Sequence, residues 1–327
     1  MLRPMAYNNG DVSDAALSFA GRRYNSYGAF LRRKFGCRVH KVIVDAGFTC
    51  PNRDGTAGFG GCIYCDNDAF RPPSADRSLP LPLQIESGIR FLRRRYRAEK
   101  FIVYFQPFSN TYAPLEELVP LYESALAHEG VVGLAVGTRA DCVDEAKISW
   151  FEKLACRVFV TLEYGLESVH DRTLERIRRG HDYASFVRAV RLTRGRGIFT
   201  CAHVILGFPW ETAEEMLQAA DAVSELGVDF VKLHQLHIVR STAMGAEFER
   251  SPFFLPGFED YVDLVVRFLE RLSPRVCVER LSAVAPADRL LGPVWGKSRA
   301  EVQRAVEGAL AARDTWQGRL CRRDADL

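Results

Sequence analysis

Six short, nearly continuous apolar runs constrain this chain more than any other feature. They lie at residues 39–45, 100–105, 131–137, 158–163, 200–206 and 228–233. Each is rich in Val, Ile or Phe and lacks the strict alternation of a half-exposed strand, so each reads as a strand buried on both faces, as in a parallel sheet. Helical patterns fall between them. Residues 83–96 place Ile85, Ile89, Leu92 and Tyr96 on one face, and Pro114 opens a helix that turns Leu115, Leu118, Tyr122 and Ala125 inward. Thr212 with Glu215, and Ser298 with Glu301, have the spacing of capping boxes. Strands alternating with helices imply βα units with right-handed crossovers. The outcome is either an open doubly wound sheet or a barrel-like curved sheet, and periodicity does not choose between them. Both architectures put their sites at the C-terminal ends of the strands.

Three segments follow from the pattern. Residues 1–20 are short of large apolar side chains and read as a loose tail, and residues 21–257 carry the α/β core. Residues 258–327 read as helix, strand at 276–281, loop and helix, an extension packed on the core. An apolar fraction of 47% and a charged fraction of 26% are those of a soluble globular protein. No apolar run approaches the ~18–20 residues of a membrane span, and the N-terminus lacks the apolar stretch of a secretory signal. A cytoplasmic location without membrane contact is therefore expected. The net charge of +3 exerts no strong global pull on nucleic acid. Basic residues do cluster, at Arg32, Arg33 and Lys34, at Arg93, Arg94, Arg95 and Arg97, and at Arg176, Arg178 and Arg179. Such clusters are either phosphate-binding forks or solvated helix faces.

The nine cysteines form one dense group. The first strand runs into AGFTCPNRDGTAGFGGCIYC, a loop with Cys50, Cys62 and Cys65 and with glycines at 47, 55, 58, 60 and 61. Glycine permits positive φ and close backbone approach, so this loop can wrap a compact object. Three thiolates at the end of a first strand suit a [4Fe–4S] cluster with one iron left without a protein ligand. They also suit structural zinc with His40 or another residue as fourth ligand, or the three cysteines are unrelated. An open iron has a chemical use. S-adenosylmethionine (SAM) can chelate it, and an electron from the cluster then cleaves the S–C5′ bond to a 5′-deoxyadenosyl radical that abstracts hydrogen.

This loop resembles that of the radical SAM superfamily, and more narrowly its YhcC/YtqA-type branch, related to the radical SAM domain of the elongator catalytic subunit. The likeness runs through VDAGFTCPNRDGT, QPFSNTYAPLE, GTRADC, YGLES, RRGH, HVILGFPWET, KLHQLHIVRST and PVWGKSRAEV in order. It implies an α/β fold of the partial (β/α)6 barrel type, an enzyme that cleaves SAM reductively at a [4Fe–4S] cluster, and Cys50, Cys62 and Cys65 as the cluster's ligands. It implies SAM contacts at Ser109, Asn110 and Thr111 after the second strand, at Thr138 and Arg139 after the third, and at Glu167, where relatives carry Gln. Arg179 would face the SAM carboxylate, His203 the ribose, and Gly207 with Pro209 the adenine. A guanidinium suits a carboxylate because it stays charged and binds in a fork. An electron donor of the flavodoxin or ferredoxin type is implied as partner, and tRNA as a further one, with a wobble uridine as the substrate. A small metabolite is the alternative substrate, and a zinc-stapled binding module the non-enzymatic alternative. The remaining cysteines, Cys37, Cys142, Cys156, Cys201, Cys277 and Cys321, show no metal-ligand spacing, so no auxiliary cluster is expected. Cys142, Cys156 and Cys201, in or beside strands, read as small core residues. Ala283, Val284 and Ala285 stand where relatives are more polar, and His234, Gln235, His237 and Arg240 point toward the same mouth.

Overall fold

A computed structural model describes residues 19–72 and 75–321; the expected N-terminal tail, up to residue 18, and residues 322–327 lie outside it. The six apolar runs are strands: β1 (Val39–Val44), β2 (Lys100–Phe105), β3 (Val131–Thr138), β4 (Phe159–Glu167), β5 (Phe199–Leu206) and β6 (Phe230–Gln235). All neighbours pair in parallel, in sequence order. The sheet is a curled half-barrel, so the barrel alternative holds. A seventh strand, β8 (Cys277–Arg280), adds in parallel to β6, so the C-terminal region extends the same sheet. A small antiparallel pair, β7 (Ile238–Val239) with β9 (Leu290–Gly292), sits beside the sheet.

The outer face of the sheet is covered by the helices between strands. In Leu81–Tyr96, Ile85, Ile89 and Leu92 are buried at the spacing the sequence shows, whereas Tyr96 is exposed at the helix end and stacks on His40. In Leu115–Leu126, Leu118, Tyr122 and Ala125 are fully buried, with Pro114 in the capping position rather than inside the helix. Both capping boxes form, at Thr212–Glu215 and at Ser298–Glu301. Among the described residues no helix is long and apolar enough to cross a membrane.

The lumen is closed at one end by the helix Tyr27–Phe35, which the apolar runs do not announce. Tyr27, Phe30 and Leu31 are buried there against Ile102, Phe159 and Phe230 of the strands. The rings meet edge to face, at 4.9 Å for Tyr27 with Phe230 and 5.0 Å for Phe30 with Phe230. Such pairs are worth about 0.5–1.5 kcal/mol each beyond their burial. The plug leaves one open mouth, at the C-terminal ends of the strands, where β1 runs into the cysteine loop.

Close approach between β3 and β4 depends on Gly133, where a Cβ would stand 2.1 Å from the Phe159 carbonyl oxygen. That atom belongs to the sheet backbone and cannot swing aside. Gly133→Ala is expected to lose about 1–3 kcal/mol through overpacking, read as a lower denaturation midpoint. Gly308→Ala, in an exposed helical position with nothing within 4 Å of the added carbon, is expected to gain about 1 kcal/mol.

Candidate active site at the barrel mouth

The cysteine loop is held by its own backbone. Arg53 N–H donates to the Cys50 carbonyl at 2.8 Å, Gly61 N–H to the Asn52 carbonyl at 2.7 Å, and Cys65 N–H to the Cys62 carbonyl at 3.0 Å. Gly61 has φ +83°, and a Cβ on it would meet the Arg53 side chain at 3.0 Å. Gly58 has no room for a Cβ, which would fall 2.4 Å from Asn52 Oδ1. Asn52 is the inner strut. It is buried, and its amide donates to the Arg178 carbonyl at 2.5 Å and lies 3.5 Å from Cys62 Sγ.

Cys50, Cys62 and Cys65 all line one cavity of about 830 Å³. Burial and the neighbouring Cys62 push the Cys65 thiol up to about 11, with Arg53 pulling against them. Arg53 donates to the Cys65 carbonyl at 2.9 Å, and the three sulfurs favour its cationic form. Among the described residues the one trio of His, Cys, Asp or Glu donors lying wholly within 4.8 Å of one another is Glu163, Cys201 and His203. The three cysteine sulfurs are therefore spread more widely than the roughly 3.8 Å separations of a tetrahedral zinc site. His40 lies near the opposite end of β1, stacked on Tyr96, so it cannot complete such a site. Three spread thiols around a cationic guanidinium fit an iron–sulfur cluster.

The other candidate residues divide. Ser109, Thr138, Arg139, Glu167, Arg179 and His203 line the same cavity, and Asn110 and Thr111 do not. The Asn110 amide donates to the carbonyls of Phe105, Pro107 and Gly137 at 3.1, 2.9 and 2.8 Å, tying β2 to β3. The Thr111 hydroxyl is 2.6 Å from that of Thr138 and donates to the Cys142 carbonyl. Ser109 N–H donates to the Thr49 carbonyl, which seats this turn against the cysteine loop. The hydroxyl of Ser109 and Nε of Arg179 are buried without a protein partner. Arg179 donates to the Gly165 carbonyl at 2.8 Å and lies 3.8 Å from Cys62 Sγ. Arg139 is held by Asp141 and donates to the Arg179 carbonyl. Glu167 has φ +63°, unusual for a residue with a side chain, where the β4–β5 register slips. Strain of this kind is kept where surrounding structure holds a side chain in a required direction. Orphaned donors around a polar cleft beside the thiols fit a small polar cofactor.

Of the remaining cysteines, Cys142 and Cys201 are buried, but Cys156 is exposed at a helix end. The mouth segment also divides: His234, Gln235 and His237 line the cavity, as do Ala283, Val284 and Ala285, whereas Arg240 pairs outside with Glu249.

The cavity floor carries charges missing from the candidate list. Glu163 is fully buried and receives Lys41 at 2.5 Å, Lys232, and His203 Nε2 at 2.8 Å. Glu279 pairs with Lys41 at 2.7 Å and Lys232 at 3.1 Å. Lys232 also sits 4.3 Å from the centre of the Tyr104 ring. Burial alone would raise the Glu163 carboxyl; Lys232, Lys41 and the His203 hydrogen bond outweigh it and hold the group well below its ordinary range. Burial lowers His203, which stays neutral with its proton on Nε2 facing the carboxylate. The sequence does hold the signal, since Lys41, Glu163 and Lys232 each interrupt a strand otherwise buried on both faces.

The family model of the radical SAM superfamily matches residues 50–223, and that of the Radical_SAM C-terminal domain matches residues 228–312. The chain belongs to the radical SAM superfamily. YtqA of Bacillus subtilis (strain 168) is 36% identical over 302 residues, covering 92% of this chain and 94% of YtqA. YhcC of Escherichia coli (strain K12) is 38% identical over 277 residues, covering 84% of this chain and 88% of YhcC. The archaeal Methanocaldococcus infernus Elp3 shares the fold, with a TM-score of 0.66 at 17% identity over 86% of this chain and 64% of that one. As a radical SAM protein the chain is an enzyme, and its cofactors are a [4Fe–4S] cluster and SAM.

Glu163→Gln leaves two buried ammonium groups short of a counter-charge, and a loss of about 3–5 kcal/mol at neutral pH is expected. The folded carboxyl titrates below its ordinary 4.5, so its stabilisation is present above that pH and drains away below it. Denaturation midpoints measured from pH 7 to pH 3 should therefore fall more steeply for the wild type than for Glu163→Gln.

Proposed function

We propose that Cys50, Cys62 and Cys65 hold the cluster, that Ser109, Thr138, Glu167 and Arg179 face SAM, and that a small polar organic substrate lies between SAM and the charged floor. Bound there, the cluster and SAM supply a 5′-deoxyadenosyl radical, which removes a hydrogen atom from the substrate. The chain's part is to bind, orient and exclude water. Arg179 offers a fixed fork for the SAM carboxylate beside Cys62. Asn110 and Thr111 lock the β2 and β3 ends so that the Ser109 turn keeps its place. Lys41, Glu163, His203 and Lys232 form a rigid polar base on which a substrate can hydrogen-bond while the aromatic plug keeps the far end dry.

The observation that carries this reading is the convergence of all three cysteines with Arg179, Glu167 and the Glu163 floor on one cavity of about 830 Å³. That volume lies within the roughly 300–1,000 Å³ of small-molecule sites.

A wobble uridine of tRNA is the second reading. It is favoured by similarity to the tRNA uridine(34) acetyltransferase of Methanocaldococcus infernus, 24% identical over 177 residues, which are 53% of this chain and 32% of that relative. Two of the three arginine clusters do not serve it. Arg93, Arg94, Arg95 and Arg97 end the helix that leads into the start of β2, and Arg32, Arg33 and Lys34 end the helix that leads into β1. Both groups therefore lie at the plugged end of the barrel, away from the mouth. Arg178 remains, with Arg53 and Arg289 along a cavity of about 700 Å³ on the outer side of the cysteine loop. The same cationic groove suits an acidic electron donor of the flavodoxin or ferredoxin type.

Anaerobic reconstitution with iron and sulfide should give a brown protein with about four irons per chain. With dithionite and SAM it should form 5′-deoxyadenosine, and Cys62→Ala should lose that product while keeping its thermal transition. A colourless, zinc-binding wild type would sink the reading. Comparing a deletion strain's metabolites with its RNA nucleosides separates the two substrate classes.

A further inference from the structure

Two arginines on the cavity wall have no counter-charge. Arg280, in β8, and Arg299, at the start of the helix Arg299–Ala312, both line the cavity. Neither has a carboxylate within 4.0 Å among the described residues. The other cations of the wall are paired: Lys41 and Lys232 with Glu163 and Glu279, Arg139 with Asp141, Arg71 with Asp45, and Arg179 with Glu167. Arg53 faces the three thiols.

The backbone is shaped to aim Arg280 inward. Pairing between β6 and β8 slips by one residue, with Val231 opposite Val278 but Lys232 opposite Arg280. Alternation along a strand would send Glu279 and Arg280 to opposite faces. The extra residue lets both reach the lumen, which is how a bulge re-aims a side chain. Inside, the Arg280 guanidinium donates to His234, and its Nε is buried with no partner at all. Burial and the adjoining Arg280 charge keep His234 neutral, so it adds an acceptor and no counter-charge. Partial burial and the same charge hold the Arg299 guanidinium below its ordinary value.

Like charges left unpaired at a partly buried wall are unfavourable unless an anion joins them. We infer that Arg280 and Arg299 form an oxyanion subsite that binds a phosphate or carboxylate group of the substrate, holding its opposite end toward SAM. Guanidinium forks bind either group through paired N–H···O bonds. The subsite rests on the functional reading above and narrows it to acidic substrates.

The test uses reconstituted holoenzyme with SAM, titrated calorimetrically with inorganic phosphate and, separately, with succinate at constant ionic strength. At least one of the two should bind the wild type, and which one tells phosphate from carboxylate. Arg280→Gln and Arg299→Gln should each weaken that binding at least tenfold. Arg93→Gln, at the plugged end, should bind as the wild type does. Without anion, Arg280→Gln should melt no lower than the wild type, because it removes an unpaired charge, and the anion should raise the melting temperature of the wild type and of Arg93→Gln more than that of Arg280→Gln or Arg299→Gln. Wild type that binds SAM but neither anion, or variants that bind the anion equally well, would overturn the subsite. Wild type that binds the anion but not SAM would instead overturn the cofactor reading and leave the subsite standing.

Discussion

One buried carboxylate organises the lumen. Glu163 sits mid-barrel, wholly removed from water, and is held by side chains from three other strands: Lys41 of β1, His203 of β5 and Lys232 of β6. Removing a charge from water costs several kcal/mol, and only close, hydrogen-bonded partners offset it. The network therefore tolerates little change in the curl of the sheet. It ties strands that are not neighbours, from one edge toward the other, and so sets the width of the cavity above it.

Below that layer the aromatic plug closes the lumen, and above it the cysteine loop and the strand ends form the mouth. The polarity follows from this stacking. Apolar rings exclude water from the base, the Glu163 and Glu279 pairs present a fixed polar surface, and the thiols and Arg179 face it from the rim. Two of the register slips lie where the strands meet the cavity: that of β4 near Glu167 and that of β8 near Arg280. A regular ladder would alternate side chains between lumen and outer face, and these two sites depart from it where chemistry is needed.

Much of this arrangement is legible in the sequence. The six strands agree with the apolar runs to within two residues at most ends, and both capping boxes form. The cysteine loop could be read because its ligand types and glycines are close in sequence. The seating of the SAM-facing residues was less legible. Asn110 and Thr111 come from the expected turn, yet their side chains serve the β2–β3 junction, because buried amides and hydroxyls are drawn to the free carbonyls of strand ends. Tyr96 kept the helical spacing but lies in the last turn, beyond the sheet that buries the residues before it. Cys156 lies beside a strand but projects from a helix end into solvent.

The sequence by itself determined where the strands fall, the helical faces and the placing of three thiols on one loop, because each depends on side-chain period or chain proximity. Only the tertiary structure decided which charges meet in the lumen, that the arginine clusters before β1 and β2 lie at the far end, and that Arg280 and Arg299 share a wall without a counter-ion. Those facts join residues up to 238 positions apart, as Lys41 and Glu279 are. Curvature, register slips and the direction of each helix bring such residues together, and no local pattern encodes all three.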